Sequence, residues 1–294
     1  MKRLIPTILA FVMLFCLCAC GSGALPSTEA ARPAETAASE ISAPADPVAQ
    51  ADALIAAGET EENLNAALKL YQAALDSDPE NLDAILGTAE VMIRKGSFDN
   101  ALKWYLKAAE LGNADAMFGI GLLYEYGHGV DQDDEKAMEW YLKDAELGNA
   151  DAMIHIGMLY YYGLDYHGPG INPDYDNAME WFLKAVELGN TNAMVWIGMV
   201  YYYGQKDYNE AMEWFLKAAE LGNGNDMSYI GLLYELGHGA DQDYEKAMEW
   251  YLKAAELGNE TAMYAIGDLY EYGNGVDQDI VKASEWKQKA NDAN

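Results

Sequence analysis

One stretch of thirteen residues recurs along the chain and constrains the fold more than any other feature. It reads Ala-Met-Glu-Trp-Tyr-Leu-Lys-Asp-Ala-Glu-Leu-Gly-Asn at 137–149, and close copies occupy 178–190, 211–223 and 247–259, with a fainter one at 101–113. Their Leu-Gly-Asn anchors lie 36, 41, 33 and 36 residues apart. A near-constant period in this range is typical of solenoids, whose units bury their apolar faces only against neighbouring units. The sequence therefore predicts an elongated stack of short repeats.

Each repeat contains two stretches with helical periodicity. In the first, Ala116, Ile120 and Leu123 fall on one side of a helical wheel, as expected for a face that packs. Gly121 recurs in every repeat, although glycine costs about 1 kcal/mol relative to alanine inside a helix. Its recurrence predicts that a neighbouring helix approaches too closely for a side chain. An aspartate, Asp133 in one copy, precedes the second stretch and has the position of an N-cap.

Two charged positions of the second helix carry further expectations. Glu139 and Lys143 stand four residues apart, and we expect them and their copies to form ion pairs on the outer face. Asp144 occupies a position that holds alanine in the other copies, on the packed side of the wheel. Because a buried carboxylate needs a partner, we expect Asp144 at an edge that water can reach.

The N-terminus has the features of an export signal. A basic pair precedes an apolar run over residues 4–17, which is short and proline-interrupted for a membrane-spanning helix. The sequence Leu-Cys-Ala-Cys that ends at Cys20, followed by Gly-Ser-Gly, resembles the signal of bacterial lipoproteins. The resemblance implies a signal peptide over residues 1–19, lipidation of Cys20, and a location at the cell membrane on the extracytoplasmic side of a bacterial envelope. An uncleaved anchor or a plain signal peptide is the alternative.

The segment after the signal has the composition of a flexible linker. Residues 20–50 begin with the lipidated Cys20 and are rich in Ala, Pro, Ser, Thr and Glu, so they bury too little apolar surface to offset the entropy of ordering. All three cysteines lie at or before position 20, which leaves the remaining chain without a thiol for a disulfide or a metal cluster.

The charge of the chain excludes several partners. The formal net charge is −30, so the average field repels phosphate, and nucleic acid and anionic lipid headgroups are poor partners. Contact with the membrane is expected through the lipid anchor only.

Two families of helical repeat are similar to the rest of the chain. Residues 51–112 resemble two tetratricopeptide units, with a turn at 78–81 followed by a helical pattern. From residue 113 each unit combines Ala-Asx-Ala-Met, Ile-Gly and Leu-Tyr with Lys-Ala-Met-Glu-Trp-Tyr-Leu-Lys, and some carry Gly-His-Gly-Val-Asp-Gln-Asp as at 127–133. This pattern closely resembles the Sel1-like repeat, a relative of the tetratricopeptide repeat, in five units over 113–294. The resemblance implies an all-α fold, a right-handed αα-superhelix that serves as an interaction scaffold and lines its concave surface with the first helices.

The residues that the repeat leaves variable are therefore candidates for binding. In the middle units they are aromatic or methionine, which present large contact areas with few rotatable bonds. Acids at Glu125, Glu235 and Glu271 are expected at the rim, where they would favour basic neighbours. Part of this stripe could instead be core, and that alternative stays open. The predicted partner-binding groove comprises Tyr126, Met158, Tyr161, Tyr162, Trp196, Met199, Tyr202, Tyr203, Tyr229 and Tyr272.

Three functions are weighed on this basis. The first is a membrane-anchored scaffold that binds an unidentified protein or peptide, basic or apolar, through the groove. The second is a lipoprotein that binds cell-envelope glycans by stacking Tyr and Trp on sugar faces. The third and least favoured is a hydrolase, because no feature selects a catalytic pair among the many carboxylates. None of the four histidines has the spacing of a metal site, so we expect no metal, no cofactor and no enzymatic activity.

Overall fold

The computed structural model describes residues 46–163, 172–222 and 224–293, without the side chains of 224–226. The predicted signal peptide, Cys20, and most of the predicted linker lie outside these residues. Residues 164–171 also lie outside them.

Helices account for the fold. The described residues contain fourteen α-helices and no β-strand, which confirms the predicted all-α architecture of an αα-superhelix. The helices are α1 (Pro47–Ala56), α2 (Glu61–Ser77), α3 (Leu82–Arg94), α4 (Phe98–Glu110), α5 (Ala114–Tyr126), α6 (Asp134–Glu146), α7 (Ala150–Tyr162), α8 (Tyr175–Glu187), α9 (Asn192–Met199, continued by a π-helical turn Val200–Gln205), α10 (Tyr208–Glu220), α11 (Gly224–Leu236), α12 (Tyr244–Glu256), α13 (Glu260–Tyr272) and α14 (Ile280–Asp292).

The helices pack as seven consecutive pairs. Each odd-numbered helix makes its most extensive contacts with the helix that follows it, and each pair then packs on the next pair along the chain. The buried core runs through every pair, built from alanines on both helices and large residues such as Ile120, Tyr141, Phe182 and Phe215. In each pair from α5 to α14, we call the odd-numbered helix the first helix and the even-numbered one the second helix.

The recurring glycine of the first helix marks a close approach, as predicted. A Cβ added at Gly157 would lie 2.5 Å from Cε1 of Phe182, because the ring of the second helix lies flat on the glycine backbone. Gly198 has the same relation to Phe215. The pair can therefore close only where the first helix has no side chain. The predicted N-caps are also present: the Asp133 carboxylate accepts a hydrogen bond from the Lys136 amide at 2.9 Å.

The predicted ion pair between Glu139 and Lys143 is wrong. The Lys143 ammonium lies 3.8 Å from the ring centroid of Trp140, and no ion pair joins Glu139 to Lys143 in the part of the chain that the structure describes. The lysine covers the face of a half-buried indole one turn before it, which is a favourable cation–π arrangement. The same contact recurs at Trp104–Lys107, Trp181–Lys184, Trp214–Lys217, Trp250–Lys253 and Trp286–Lys289.

The expectation of a solvent-accessible Asp144 is also wrong. Its side chain is fully buried, Oδ2 accepts a hydrogen bond from the Asn149 amide at 2.8 Å, and Oδ1 has no hydrogen-bonding partner among the described residues. Burial raises the pKa of Asp144 to about 7; the carboxylates of Asp115 and Asp151 act in the same direction, and the Asn149 hydrogen bond opposes them. The packing of neighbouring pairs buries the side chain at this position in every copy, whether it is alanine or aspartate.

Candidate functional site

The first helices present one side that their own pair does not bury. Residues at i, i+4 and i+8 lie on the same side of a helix, and in α7 these are Ile154, Met158 and Tyr162. Ile154 at the start of this side is buried, Met158 and Tyr162 are half-buried, and Tyr203 and Tyr272, the equivalents of Tyr162, are 49% and 66% exposed. This side therefore remains open to a partner along much of the array.

The residues of the predicted groove differ in how much surface they offer. Tyr203 and Tyr272 are exposed, whereas Tyr161 is only 7% exposed and belongs largely to the core. Half-buried side chains make up the remainder: Tyr126, Met158, Tyr162, Trp196, Met199, Tyr202 and Tyr229. Some residues of the predicted groove are therefore open to a partner, whereas others belong to the core. Partner binding by these residues stays a prediction.

Rings from two adjacent repeats meet at the centre of this stripe. Tyr161 and Tyr162 stand edge to face, with centroids 5.0 Å apart and planes at 88°. Trp196 of the next repeat packs against both, at 5.7 Å from Tyr161 and 6.0 Å from Tyr162. Its indole also stacks on Phe182 at 5.8 Å and 18°. A side chain from one repeat is therefore fixed between the two helices of the preceding repeat.

The same arrangement continues one repeat further. Tyr202 and Tyr203 lie 4.7 Å apart with their planes at 68°, and Tyr202 contacts Tyr208 at 5.2 Å. The π-helical turn that contains both residues ends at Gln205 and is capped by Lys206, whose φ of 57° is left-handed. We call Tyr161, Tyr162, Trp196, Tyr202 and Tyr203 the central aromatic cluster.

The polar atoms of the central aromatic cluster are donors. Burial raises the pKa of Tyr161, Tyr202 and Tyr203, so these phenols stay protonated at neutral pH. Their hydroxyls and the indole N–H of Trp196 form no hydrogen bond with any residue that the structure describes. Tyr161, Trp196, Tyr202 and Tyr203 therefore combine aromatic surface with hydrogen-bond donors that bind no described residue of the array.

Acids flank the central aromatic cluster but are absent from it. In the outer repeats the position of Tyr161 and Tyr202 holds glutamate, and that glutamate accepts a hydrogen bond from the second helix. Glu125 binds the Tyr141 hydroxyl at 2.5 Å, and Glu235 binds the Tyr251 hydroxyl at 2.6 Å. In the two central repeats the second helix has Phe182 and Phe215 in place of those tyrosines. The loss of the acid thus coincides with the loss of its donor.

The expected role of Glu125 as a rim acid is wrong. Its side chain is 12% exposed, and His155 Nδ1 lies 2.9 Å from Oε2, the atom that also binds Tyr141. Burial would raise the pKa of Glu125, but His155 and the hydroxyls of Tyr141 and Tyr126 outweigh it and hold the pKa below its usual range. The carboxylate therefore joins two repeats inside the array. His155 is 3% exposed, so this group is closed to a substrate.

The other two histidines of the described residues lie in turns and pack against aromatic rings. His128 stacks on Phe98 at 4.7 Å and His238 on Tyr208 at 4.0 Å, each resting on the start of the preceding second helix. Within the described ranges, no three His, Cys, Asp or Glu residues are arranged to hold a metal ion. No helix of those same ranges is long and apolar enough to cross a membrane.

Family models account for nearly all of this array. The model described as Sel1 repeat matches residues 114–149, 150–190, 191–223, 226–259 and 261–294. A model described as tetratricopeptide repeat matches residues 48–116. No curated protein shows a significant sequence match to the chain.

Several solved structures are similar to the chain. A Sel1 repeat protein from Oxalobacter formigenes is 31% identical, with a TM-score of 0.67 over 84% of this chain and 100% of its own. A protective antigen present in uropathogenic Escherichia coli strains, which displays an SLR fold, is 26% identical with a TM-score of 0.63. That match covers 84% of this chain and 53% of the antigen, so the chain spans about half the antigen's length. Yeast Tom70, at 18% identity and a TM-score of 0.56 over 79% of this chain and 48% of its own, shares the fold alone.

Proposed function

Because the chain belongs to the Sel1 repeat family, a repeat scaffold of the kind that mediates protein–protein interaction, we propose that it binds a protein or peptide through its central aromatic cluster. The observation that carries this proposal is the set of donors that the array leaves unused: the Trp196 indole and the hydroxyls of Tyr202 and Tyr203. Tyrosine and tryptophan are the residues that dominate binding energy at protein interfaces.

We also propose that the array is held at the membrane by a lipid anchor. The lipoprotein-like sequence at Cys20 supports a lipid anchor on the extracytoplasmic face of a bacterial envelope, and the predicted linker, shortened by α1 to the residues before Pro47, would tether the array to that anchor. A Cys20→Ser variant tests the anchor. We expect it to leave the membrane fraction, whereas a wild-type chain whose Cys20 is found unmodified by mass spectrometry would contradict the anchor.

Site-directed photocrosslinking tests the binding surface. A photoreactive amino acid replaces Tyr203 in the full-length chain, and the matched control carries it at Glu249, an exposed position on the second helix α12. We expect discrete protein adducts from position 203, absent from position 249, that disappear when Trp196 is also changed to alanine. Equal adducts at both positions would place the binding surface elsewhere.

We expect no turnover from such a scaffold. Binding of neutral oligosaccharides to the same chain tests the glycan alternative. Binding that does not depend on salt and is lost in Trp196→Ala would favour a glycan over a protein partner.

A further inference from the structure

The chemistry of the central aromatic cluster restricts what it can bind. Tyr161 and Tyr202 take the place of Glu125 and Glu235 of the outer repeats. The cluster itself therefore contributes no carboxylate that would bind the basic side chains of a ligand or accept hydrogen bonds from sugar hydroxyls. Since the chain as a whole is strongly acidic, anionic ligands are disfavoured as well. An uncharged ligand fits this surface.

The ligand must also supply acceptors. The hydroxyls of Tyr202 and Tyr203 and the indole N–H of Trp196 have no acceptor among the described residues. A peptide in the polyproline II conformation makes no internal backbone hydrogen bonds, so its carbonyl groups are free to accept. Helical or sheet-forming peptides have already used theirs.

The ring geometry fits prolines. Tyr162 meets Tyr161 at 88° and Trp196 at 82°, while Tyr203 meets Tyr202 at 68°. Tyr161 is buried behind these rings, whereas Tyr162, Trp196 and Tyr202 are half-buried and Tyr203 is exposed, so part of their aromatic surface can contact a ligand. Aromatic-lined grooves of this kind bind the pyrrolidine rings of proline-rich segments, which lose little conformational entropy because they are extended before they bind.

From the uncharged side chains of the cluster, the unused donors and the ring geometry, we infer that the central aromatic cluster binds an uncharged, proline-rich segment of a partner protein in the polyproline II conformation. The inference rests on the proposed function, since it names the class of partner for the same surface.

Binding of a fluorescein-labelled decaproline peptide to the full-length chain tests the inference. We expect saturable binding by fluorescence anisotropy, with no binding of a labelled (Gly-Ser)₅ peptide of equal length. Trp196→Ala should weaken binding by at least about tenfold, as expected for an interface anchor. Tyr203→Phe, which removes one hydroxyl and preserves the ring, should weaken it about threefold to tenfold. Leu252→Ala, which removes an exposed apolar side chain from the second helix α12 outside the predicted groove, is the control and should leave the affinity unchanged.

Each other outcome has a defined meaning. If decaproline does not bind while position 203 still crosslinks to a partner, the inference is overturned and the proposed function stands. If chitohexaose binds in place of decaproline and depends on Trp196, both are overturned in favour of a glycan. If Leu252→Ala weakens the binding of decaproline as much as Trp196→Ala does, the peptide binds elsewhere and the inference is again overturned.

Discussion

The carboxylate of Glu235 accepts a hydrogen bond from the Tyr251 hydroxyl at 2.6 Å, which ties the end of a first helix to the middle of its second helix. Burial, and then this contact, raise the pKa of Tyr251, so the hydroxyl remains a donor. The ring of the same tyrosine lies on Gly231, one turn before Glu235. A single side chain thus fills the space that the glycine leaves and satisfies the acid above it.

Removal of the Tyr251 hydroxyl should expose this coupling. Tyr251→Phe leaves the Glu235 carboxylate without its donor, and we expect it to lower the free energy of unfolding by about 1–3 kcal/mol. The double variant Glu235→Tyr with Tyr251→Phe copies the arrangement of Tyr202 and Phe215 and should recover most of that loss. Denaturant unfolding of the two single variants and the double variant measures the coupling energy. Strictly additive effects would show that the two positions do not depend on each other.

An alanine at Gly157 should destabilise the array despite its better helix propensity. The new Cβ would lie 2.5 Å from the Phe182 ring, so the pair must open, and we expect a loss of about 1–3 kcal/mol in the free energy of unfolding. Gly119 provides the comparison, because a Cβ there would lie 3.0 Å from the edge of Tyr105 and needs only a small adjustment. Thermal and denaturant unfolding of both variants measure the difference. A Gly157→Ala protein as stable as Gly119→Ala would contradict the close approach.

Asp144 should make the array less stable as pH rises. Its pKa is about 7 in the folded chain and about 4 in an unfolded one, so the folded state holds the proton more tightly between those values. The contribution of Asp144 to stability is therefore fully present below about pH 4 and is lost as pH rises through 7. Asp144→Ala, which restores the residue of the other copies, should be more stable than wild type at pH 8 by about 2–4 kcal/mol and should gain much less at pH 5.

The matched control for Asp144 is Glu139→Ala, which removes an exposed carboxylate from the same helix. Urea unfolding at pH 5 and pH 8 compares the two variants with wild type. A gain for Asp144→Ala that is the same at both pH values would mean that the carboxyl does not titrate in this range.

The features that were correctly predicted depend on relations within one repeat. Gly157 and Asp133 are specified by local periodicity, because a close approach and an N-cap each involve residues of one helical pair. The exposure of Asp144 and of Tyr161 depends on the repeat that packs on top, which a single helical wheel does not contain. Trp196 illustrates the same point. Its neighbours Tyr161 and Tyr162 lie one repeat earlier in the sequence, and the three rings meet only because consecutive helical pairs pack on each other.

Glu125 should confer the opposite pH dependence to Asp144. Its pKa is held below its usual range in the folded chain by His155 and the hydroxyls around it, in spite of its burial. The stability that it contributes is present above the unfolded pKa of about 4.3 and is lost as pH falls below that value. We expect Glu125→Gln to lower the free energy of unfolding by about 1–3 kcal/mol at pH 7, because His155 and the two hydroxyls lose a charged partner, and to approach wild type near pH 3. The shift of the pH profile distinguishes a charge effect from a simple packing defect, since a packing defect would lower stability equally at both pH values. Glu235→Gln, which lacks a histidine neighbour in the next repeat where Ala265 replaces His155, should show a smaller loss at pH 7.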